Sequence, residues 1–321
     1  MKLGVLTVAL QDMPFNEAMA YLAGKGVKTI EVGSGGFPGK KHLDPSRLLN
    51  DEKAIAEIQG WLKEYNLEIS AISCHGNPVH PDKKTAEMYH NDFENAVLLA
   101  EKMGVDTVIT FSGCPGDCKE SKYPNWVVCP WPEDFLAVLD YQWNEVLIPY
   151  WKKTAAFAKA HGINKIALEL HPGFCVYNPA TLLRLREAVG DIIGANFDPS
   201  HLIWQGIDTV EAIRVLRGAI YNFHAKDTGL DIENIRKNGV LDTKHYGDVI
   251  DRSWVFRTVG YGNDAKLWKD MLSMLRKTGY DGAVTIEHED SLMSPKEGLE
   301  KAIDFLKEII IEEKSGEIWW A

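Results

Sequence analysis

Short apolar runs alternate along the chain with longer stretches in which apolar residues recur every three or four positions. KLGVLTV (2–8) reads as a strand, and 15–25 carries helical spacing. KTIEVG (28–33), EISAISC (68–74) and DTVITFS (106–112) repeat the strand pattern. Helical spacing follows them at 51–65, at 84–103 and, after a long loop rich in Pro, Cys and Gly, at 133–160. Four more strands are predicted at KIALEL (165–170), IIGANF (192–197), AIYNFHA (219–225) and AVTIEH (283–288). Their helices are predicted over 179–190, 208–217, 265–278 and 295–313. Strands joined through helices run parallel. Eight such units in 321 residues predict an α/β fold, a closed (β/α)8 TIM barrel. An open doubly wound sheet would share the alternation, but no G-x-G-x-x-G follows the first strand. No stretch has the composition of a linker. The chain therefore reads as one domain over 1–321, with a long loop at about 113–132 and a tail at about 314–321.

Barrels of this kind carry their chemistry at the C-terminal ends of the strands. Those ends are polar here. The second strand carries Glu31, and the third ends in Cys74-His75-Gly76-Asn77 with His80 beyond. The fifth carries Glu169 and His171, and the sixth runs into Asp198-Pro199-Ser200-His201. The seventh ends in His224-Ala225-Lys226-Asp227, and the eighth in Glu287-His288-Glu289-Asp290. Ionisable groups crowded at one barrel mouth are costly unless they pair or bind a cation. Singly, each has an ordinary reading: Asp198 before Pro199 as a helix cap, His224 as a satisfied core histidine. Together, Glu169, Asp198, His224 and Glu287 close four successive strands and offer hard oxygen and nitrogen donors. That set suits manganese, magnesium, cobalt or zinc better than copper. The lack of thiolates argues against a structural zinc site.

Composition narrows the partners. The chain has 35 Lys and Arg against 46 Asp and Glu, a net charge of -11. Nucleic acid is disfavoured, because phosphate backbones require a basic surface. MKLGVLTVALQDMPF reads as a first strand and not a signal peptide. No run approaches the roughly 18 apolar residues of a membrane span, so a cytoplasmic protein is expected. The odd count of five cysteines argues against a disulfide framework. Cys114 and Cys118 stand as an isolated C-x3-C, a weak metal or redox signal. In the loop 113–132, Trp126 and Trp131 offer faces that stack on a sugar ring, or that pack as a cover on the barrel. Gly33, Gly35 and Gly36 form a weak phosphate-cradle pattern. Trp319 and Trp320 near the C-terminus are expected to dock on the barrel or on a neighbouring subunit.

LELHPG around Glu169, NFDPSH around Asp198, FHAKD around His224 and TIEHED around Glu287 resemble the xylose isomerase-like barrel superfamily. That group includes sugar epimerases, inosose dehydratase and isomerase, hydroxypyruvate isomerase and barrel AP endonucleases. The resemblance implies one divalent ion, expected to be manganese, held by Glu169, Asp198, His224 and Glu287. It also places His201 beside metal and substrate. More narrowly, CHGNPVHP, FSGCPGD, YPNWVVCPWP, DPSHLIWQGID and RTVGYG resemble bacterial proteins labelled sugar phosphate isomerase/epimerase. Some of those relatives act on 3-keto sugars or 3-keto glycosides.

The reaction this implies is proton abstraction beside a carbonyl through an enediolate, with Glu169 and Glu287 as the acid–base pair. His75, His80, His171, His201, Lys226, Arg257 and Trp126 are the expected substrate-binding residues. Lys226 is expected to form hydrogen bonds and not a Schiff base. Arg257 suits a substrate anion or a loop carboxylate equally. The first expectation is a sugar isomerase or epimerase acting on a small sugar or keto-sugar. The alternative is a metal-dependent lyase or hydratase on 3-keto sugars or glycosides, including a C-glycoside-cleaving subunit with a small partner. A homo-oligomer stays open. Ketose 3-epimerases of the superfamily place an Arg six residues after the metal His; here that position is Leu230. The multimetal endonucleases need a close Asp-x-His pair that Asp242 and His245 do not supply. A non-catalytic sugar-binding barrel is disfavoured by the complete ligand set.

Overall fold

The computed structural model describes residues 1–314 and 316–320. Seven strands follow one another around a ring: β1 (Lys2–Leu6), β2 (Thr29–Gly33), β3 (Glu68–Ser73), β4 (Thr107–Thr110), β5 (Lys165–Glu169), β6 (Ile193–Phe197) and β7 (Ile220–Ala225). The chain then leaves the ring for an antiparallel ribbon, β8 (Asp227–Leu230) and β9 (Trp254–Arg257). β10 (Ala283–Ile286) closes the barrel between β7 and β1, parallel to both. The fold is a closed eight-stranded parallel TIM barrel, as the sequence pattern predicts. Near-continuous Val, Ile, Leu and Ala in the strands reflect burial on both faces. Among the described residues no helix is long and apolar enough to cross a membrane.

Strand register carries the site. Glu169 of β5 lies opposite Asn196 of β6, and Asn196 opposite Asn222 of β7. His224 lies opposite Thr285 of β10. A row of polar residues thus crosses four neighbouring strands. Successive side chains on a strand point to opposite faces. Asn196 and Asp198, and Asn222, His224 and Lys226, therefore share a side.

Three departures from the sequence reading have physical causes. The helix expected over 133–160 is interrupted: Asp134–Asp140 and Ile148–Ala160 flank a π-helical stretch, Tyr141–Leu147. Pro149 has no N–H to give the regular ladder, so that ladder is already broken there. Buried Gln142 of this stretch donates to the carbonyls of Pro115, Gly116 and Asn125, which pins the long loop. The ribbon β8–β9 was not legible, because each strand is four residues long and β8 carries a glycine. Trp319 and Trp320 do not dock on the barrel: they are 87% and 71% exposed and stack edge to face on each other at 5.6 Å. Of the tail expected at 314–321, Ser315 and Ala321 lie outside the described residues.

The ribbon is tied down at two points. Trp254 of β9 stacks on Trp204 of the helix Pro199–Trp204 at 4.7 Å, and Thr228 Oγ1 donates to the Ser200 carbonyl at 2.8 Å. Asp227 is fully buried, and its carboxylate collects a ring of donors. The amides of Gly260, Gly262 and Asn263, the Asn263 side chain and the Trp268 indole all reach it within 2.7–3.2 Å. This carboxylate folds the return loop from β9 back onto the barrel. Removing it strands several buried donors, each costing about 1–3 kcal/mol. Asp227→Ala should therefore lower the stability by about 3–5 kcal/mol in urea unfolding, on the same scale of orphaned donors. A loss below about 0.5 kcal/mol, the size of an ordinary surface substitution, would contradict that role.

Candidate metal centre

Glu169 ends β5, and His224 sits one residue before the end of β7. Asp198 follows β6 and caps the helix Pro199–Trp204, where Pro199 occupies a first-turn position that needs no N–H. Its two oxygens have separate tasks. Oδ1 accepts the Ser200 amide at 2.8 Å. Oδ2 lies 2.9 Å from Lys226 Nζ and 3.3 Å from His201 Nε2. Oδ2 is buried yet makes no hydrogen bond of acceptable geometry among the described residues. Glu287 follows β10 directly. One donor atom each from Glu169, Asp198, His224 and Glu287 lie within 4.8 Å of one another. Three carboxylates, one with an unsatisfied oxygen, and one imidazole are hard donors that fit a divalent ion. Glu169, His171 and His201 make a second group of the same tightness, sharing Glu169.

A buried network orients these groups. His75 Nε2 reaches Glu169 at 3.0 Å, His201 Nε2 reaches it at 3.1 Å, and the Asn196 amide donates to it at 3.1 Å. Asn222 donates to Asn196 at 2.9 Å and to Glu31 at 3.1 Å. Glu31, fully buried on β2, also accepts from the Ser73 hydroxyl. His224 Nε2 is 2.9 Å from Glu31, while its Nδ1 is 3.1 Å from Glu287 and 3.5 Å from Glu169. With Nε2 engaged by Glu31, Nδ1 is the nitrogen turned toward the carboxylate cluster. A second carboxylate that fixes the ring of a metal-binding histidine is a recurrent arrangement.

Charge balance follows from the same contacts. Burial opposes ionisation of Glu169, but hydrogen bonds from His201 and His75 hold its carboxyl well below the usual range. Burial also opposes ionisation of Glu287, and the charges of Lys226 and His224 overcome it. Burial works against charging His224, yet Glu31 and Glu287 raise it well above an ordinary histidine. Lys226 is likewise held charged against burial by Asp198, Glu287, Glu289 and Glu169. Its ammonium lies 2.7 Å from Glu287 and 3.0 Å from Glu289. His171 behaves oppositely: burial and then the His201 charge push it down to about 3, so it is neutral at pH 7. Its Nδ1 lies 2.6 Å from the Pro172 carbonyl, so Nδ1 carries the proton and Nε2 is free to accept.

His75, His171 and Lys226 line one cavity of about 140 Å³ with Glu169 and Glu287, and His201 borders it through Glu169. Three other expected substrate residues lie elsewhere. His80 accepts the Asp82 amide at 3.0 Å in an exposed turn. Arg257 pairs with the buried loop carboxylate Asp290 at 3.1 Å. Trp126 packs edge-on against Tyr177 at 5.4 Å and does not line the cavity, nor does Trp131. Of the glycine amides, that of Gly35 donates to the Gly39 carbonyl at 2.9 Å. The Gly36 amide is taken by Asp92 at 2.8 Å, and the Phe37 amide by the His75 carbonyl at 2.8 Å. The sequence reading named Glu31 without a role and passed over Asn196 and Asn222. Their signal was a polar residue two positions before Asp198 and His224 in otherwise apolar strands. The aromatic side chains that line the cavity are Phe37 and Phe111, which lie outside the loop 113–132.

Residues 19–309 match the model of a family described as xylose isomerase-like TIM barrel. An uncharacterised protein of Bacillus subtilis (strain 168), YfiH, is 39% identical over 313 residues, spanning 97% of this chain and 99% of that protein. Among solved structures, the IOLI protein with a bound zinc atom superposes with a TM-score of 0.66 at 16% identity, over 97% of this chain and 98% of that one. D-psicose 3-epimerase, in the presence of D-fructose, gives 0.63 at 14% identity, over 97% and 99%. The probable 3-DHS dehydratase AsbF of Bacillus anthracis gives 0.64 at 18% identity, over 96% and 99%. At these identities the superpositions establish the fold.

Gly36 shows how tightly the floor is built. Its φ is +62°, and a Cβ there would lie 1.9 Å from the His75 carbonyl oxygen. Left-handed backbone costs an L-residue about 1–2 kcal/mol, and overpacking adds about 1–3 kcal/mol. Gly36→Ala should thus lower stability by about 2–5 kcal/mol in thermal or urea unfolding. An unchanged melting temperature would show that the loop is not clamped to His75.

Proposed function

This chain belongs to the xylose isomerase-like TIM barrel family, and we propose that it is a divalent-metal-dependent enzyme that moves a proton beside the carbonyl of a sugar. The observation that carries the reading is the set of four donors from adjacent strands within 4.8 Å of one another. Glu169, Asp198, His224 and Glu287 would hold the ion. When bound, the ion supplies Lewis acidity that makes the carbon-bound proton next to a carbonyl removable. The bound zinc of the IOLI structure supports such a centre, and the D-psicose 3-epimerase supports sugar chemistry on this fold. Manganese is the ion we favour.

The rest is work for the chain's own side chains. Glu169 and Glu287 reach the cavity from β5 and from the end of β10, on either side of β6 and β7. Both are held ionised, the state in which a carboxylate accepts a proton. One would remove the carbon-bound proton; the other, once it has taken a proton from water or a substrate hydroxyl, would deliver that proton to carbon from the opposite side. Lys226 fixes Glu287 by a 2.7 Å contact and offers N–H to a substrate oxygen. Neutral His171, with Nε2 free, accepts a hydroxyl proton in a hydrogen bond. His75 and His201 hold Glu169 in place.

A second reading, elimination on a 3-keto sugar, starts from the same proton removal. Leu230 favours it over a simple ketohexose epimerase. That residue lies 41% exposed on the ribbon, and no guanidinium is available from its position. Incubation with a keto-sugar panel in deuterated water separates the readings. Epimerisation or isomerisation puts deuterium on carbon, whereas elimination yields an unsaturated product. Either should require metal and fall by about 10²–10⁴-fold in Glu169→Gln or Glu287→Gln, the usual worth of a general base. No exchange or product from any sugar, or a near wild-type kcat in either variant, would defeat the proposal.

Glu31→Gln tests the orienting carboxylate without using turnover. Loss of such a partner lowers metal affinity by about 10–100-fold. Manganese titration of the metal-free protein by calorimetry should show that drop with the fold intact. Affinity within about twofold of wild type, well short of that range, would mean that Glu31 does not set the His224 ring.

A further inference from the structure

Beyond the polar floor the barrel mouth opens into a second chamber of about 370 Å³. Its walls are five aromatic rings: Phe37, Phe111, Phe174, Tyr246 and Phe256. Phe37, Phe111, His171 and Glu289 line both spaces, so the two are continuous. Phe111 and Phe174 stack at 4.2 Å with planes 20° apart, and Tyr246 and Phe256 stack at 5.7 Å with planes 19° apart. The second pair comes from the ribbon segment, which the eight-unit barrel does not itself require.

The sizes bear on the ligand. Ligand sites commonly run to about 300–1,000 Å³. The polar floor, at about 140 Å³, falls below that range, while the aromatic chamber falls within it. Phe37 is 64% exposed and Tyr246 54% exposed, so the rings present apolar faces to water. A contiguous apolar patch beside a polar cleft marks a binding surface. The lining also selects among ring types. Of the side chains that line it among the described residues, His171, Glu289 and Tyr246 carry polar atoms. A flat aryl ring gains stacking on such walls, whereas a hydroxyl-rich ring finds few side-chain partners there to replace the water it gives up.

We propose that this chamber is a subsite for a flat, apolar aglycone, and that the ligand is a glycoside whose sugar ring rests on the polar floor. The proposal rests on reading that floor as a sugar site. The test uses the manganese-loaded full chain and matched phenyl and methyl glycosides of glucose, galactose, mannose and xylose, titrated by calorimetry. For at least one sugar the phenyl compound should bind about tenfold more tightly than its methyl partner, as expected for one stacked ring. Phe174→Ala and Tyr246→Ala should each remove that preference. Tyr246 is at the surface, so its variant retains the fold, which circular dichroism checks. Equal binding of phenyl and methyl compounds for every sugar, including no binding of either, overturns the proposal. So does a preference that survives both substitutions. An aryl preference without proton exchange into any sugar would leave the subsite standing and sink the proton-transfer reading. Metal-dependent exchange without an aryl preference would do the reverse.

Discussion

Everything at the mouth of this barrel answers to one constraint: negative charge held out of water must be balanced where it sits. Glu31, Glu169 and Asp198 are at most 2% exposed, and Glu287 and Glu289 stand at the rim beside them. An uncompensated buried carboxylate costs several kcal/mol. The chain supplies Lys226 against Asp198, Glu287 and Glu289, and His224 between Glu31 and Glu287. Even so, one oxygen of Asp198 stays without a well-formed hydrogen bond. A cluster built this way is consistent with a divalent-ion site.

The barrel and the cluster were legible in the sequence because both follow from periodicity. Alternation of strand and helix fixes the ring, and the ring fixes which end of each strand shares a mouth. Glu169, Asp198, His224 and Glu287 each close a strand, so their meeting needs no long-range accident. His80, Arg257 and Trp126 failed to join them for local reasons. A turn amide, the Asp290 carboxylate and the Tyr177 ring lie nearer to each than the cavity does. Glu31 could be seen but not assigned, because its partner His224 is contributed from across the barrel. The ribbon was lost because four-residue strands carry too little pattern to be told from loop.

That ribbon matters more than its length suggests. Lys226 and Asp227 are consecutive and face opposite ways, as neighbours in extended chain do. Lys226 meets the carboxylates of the floor, while Asp227 gathers the amides that turn the chain home after β9. Between them the segment brings Tyr246 and Phe256 to the mouth. The same insertion thus links charge balance in the floor, stability of the return loop and the aromatic wall. It makes this chain's mouth deeper and more apolar than the eight-unit plan alone requires.

The central claim is that four strand ends make one divalent-ion site. Crystals of the protein grown with manganese, measured at the manganese absorption edge, test it most directly through the anomalous difference map. A single peak coordinated by Glu169, Asp198, His224 and Glu287 is the expected result. No peak among these four residues, or a peak held by Glu169, His171 and His201 in their place, would contradict the account.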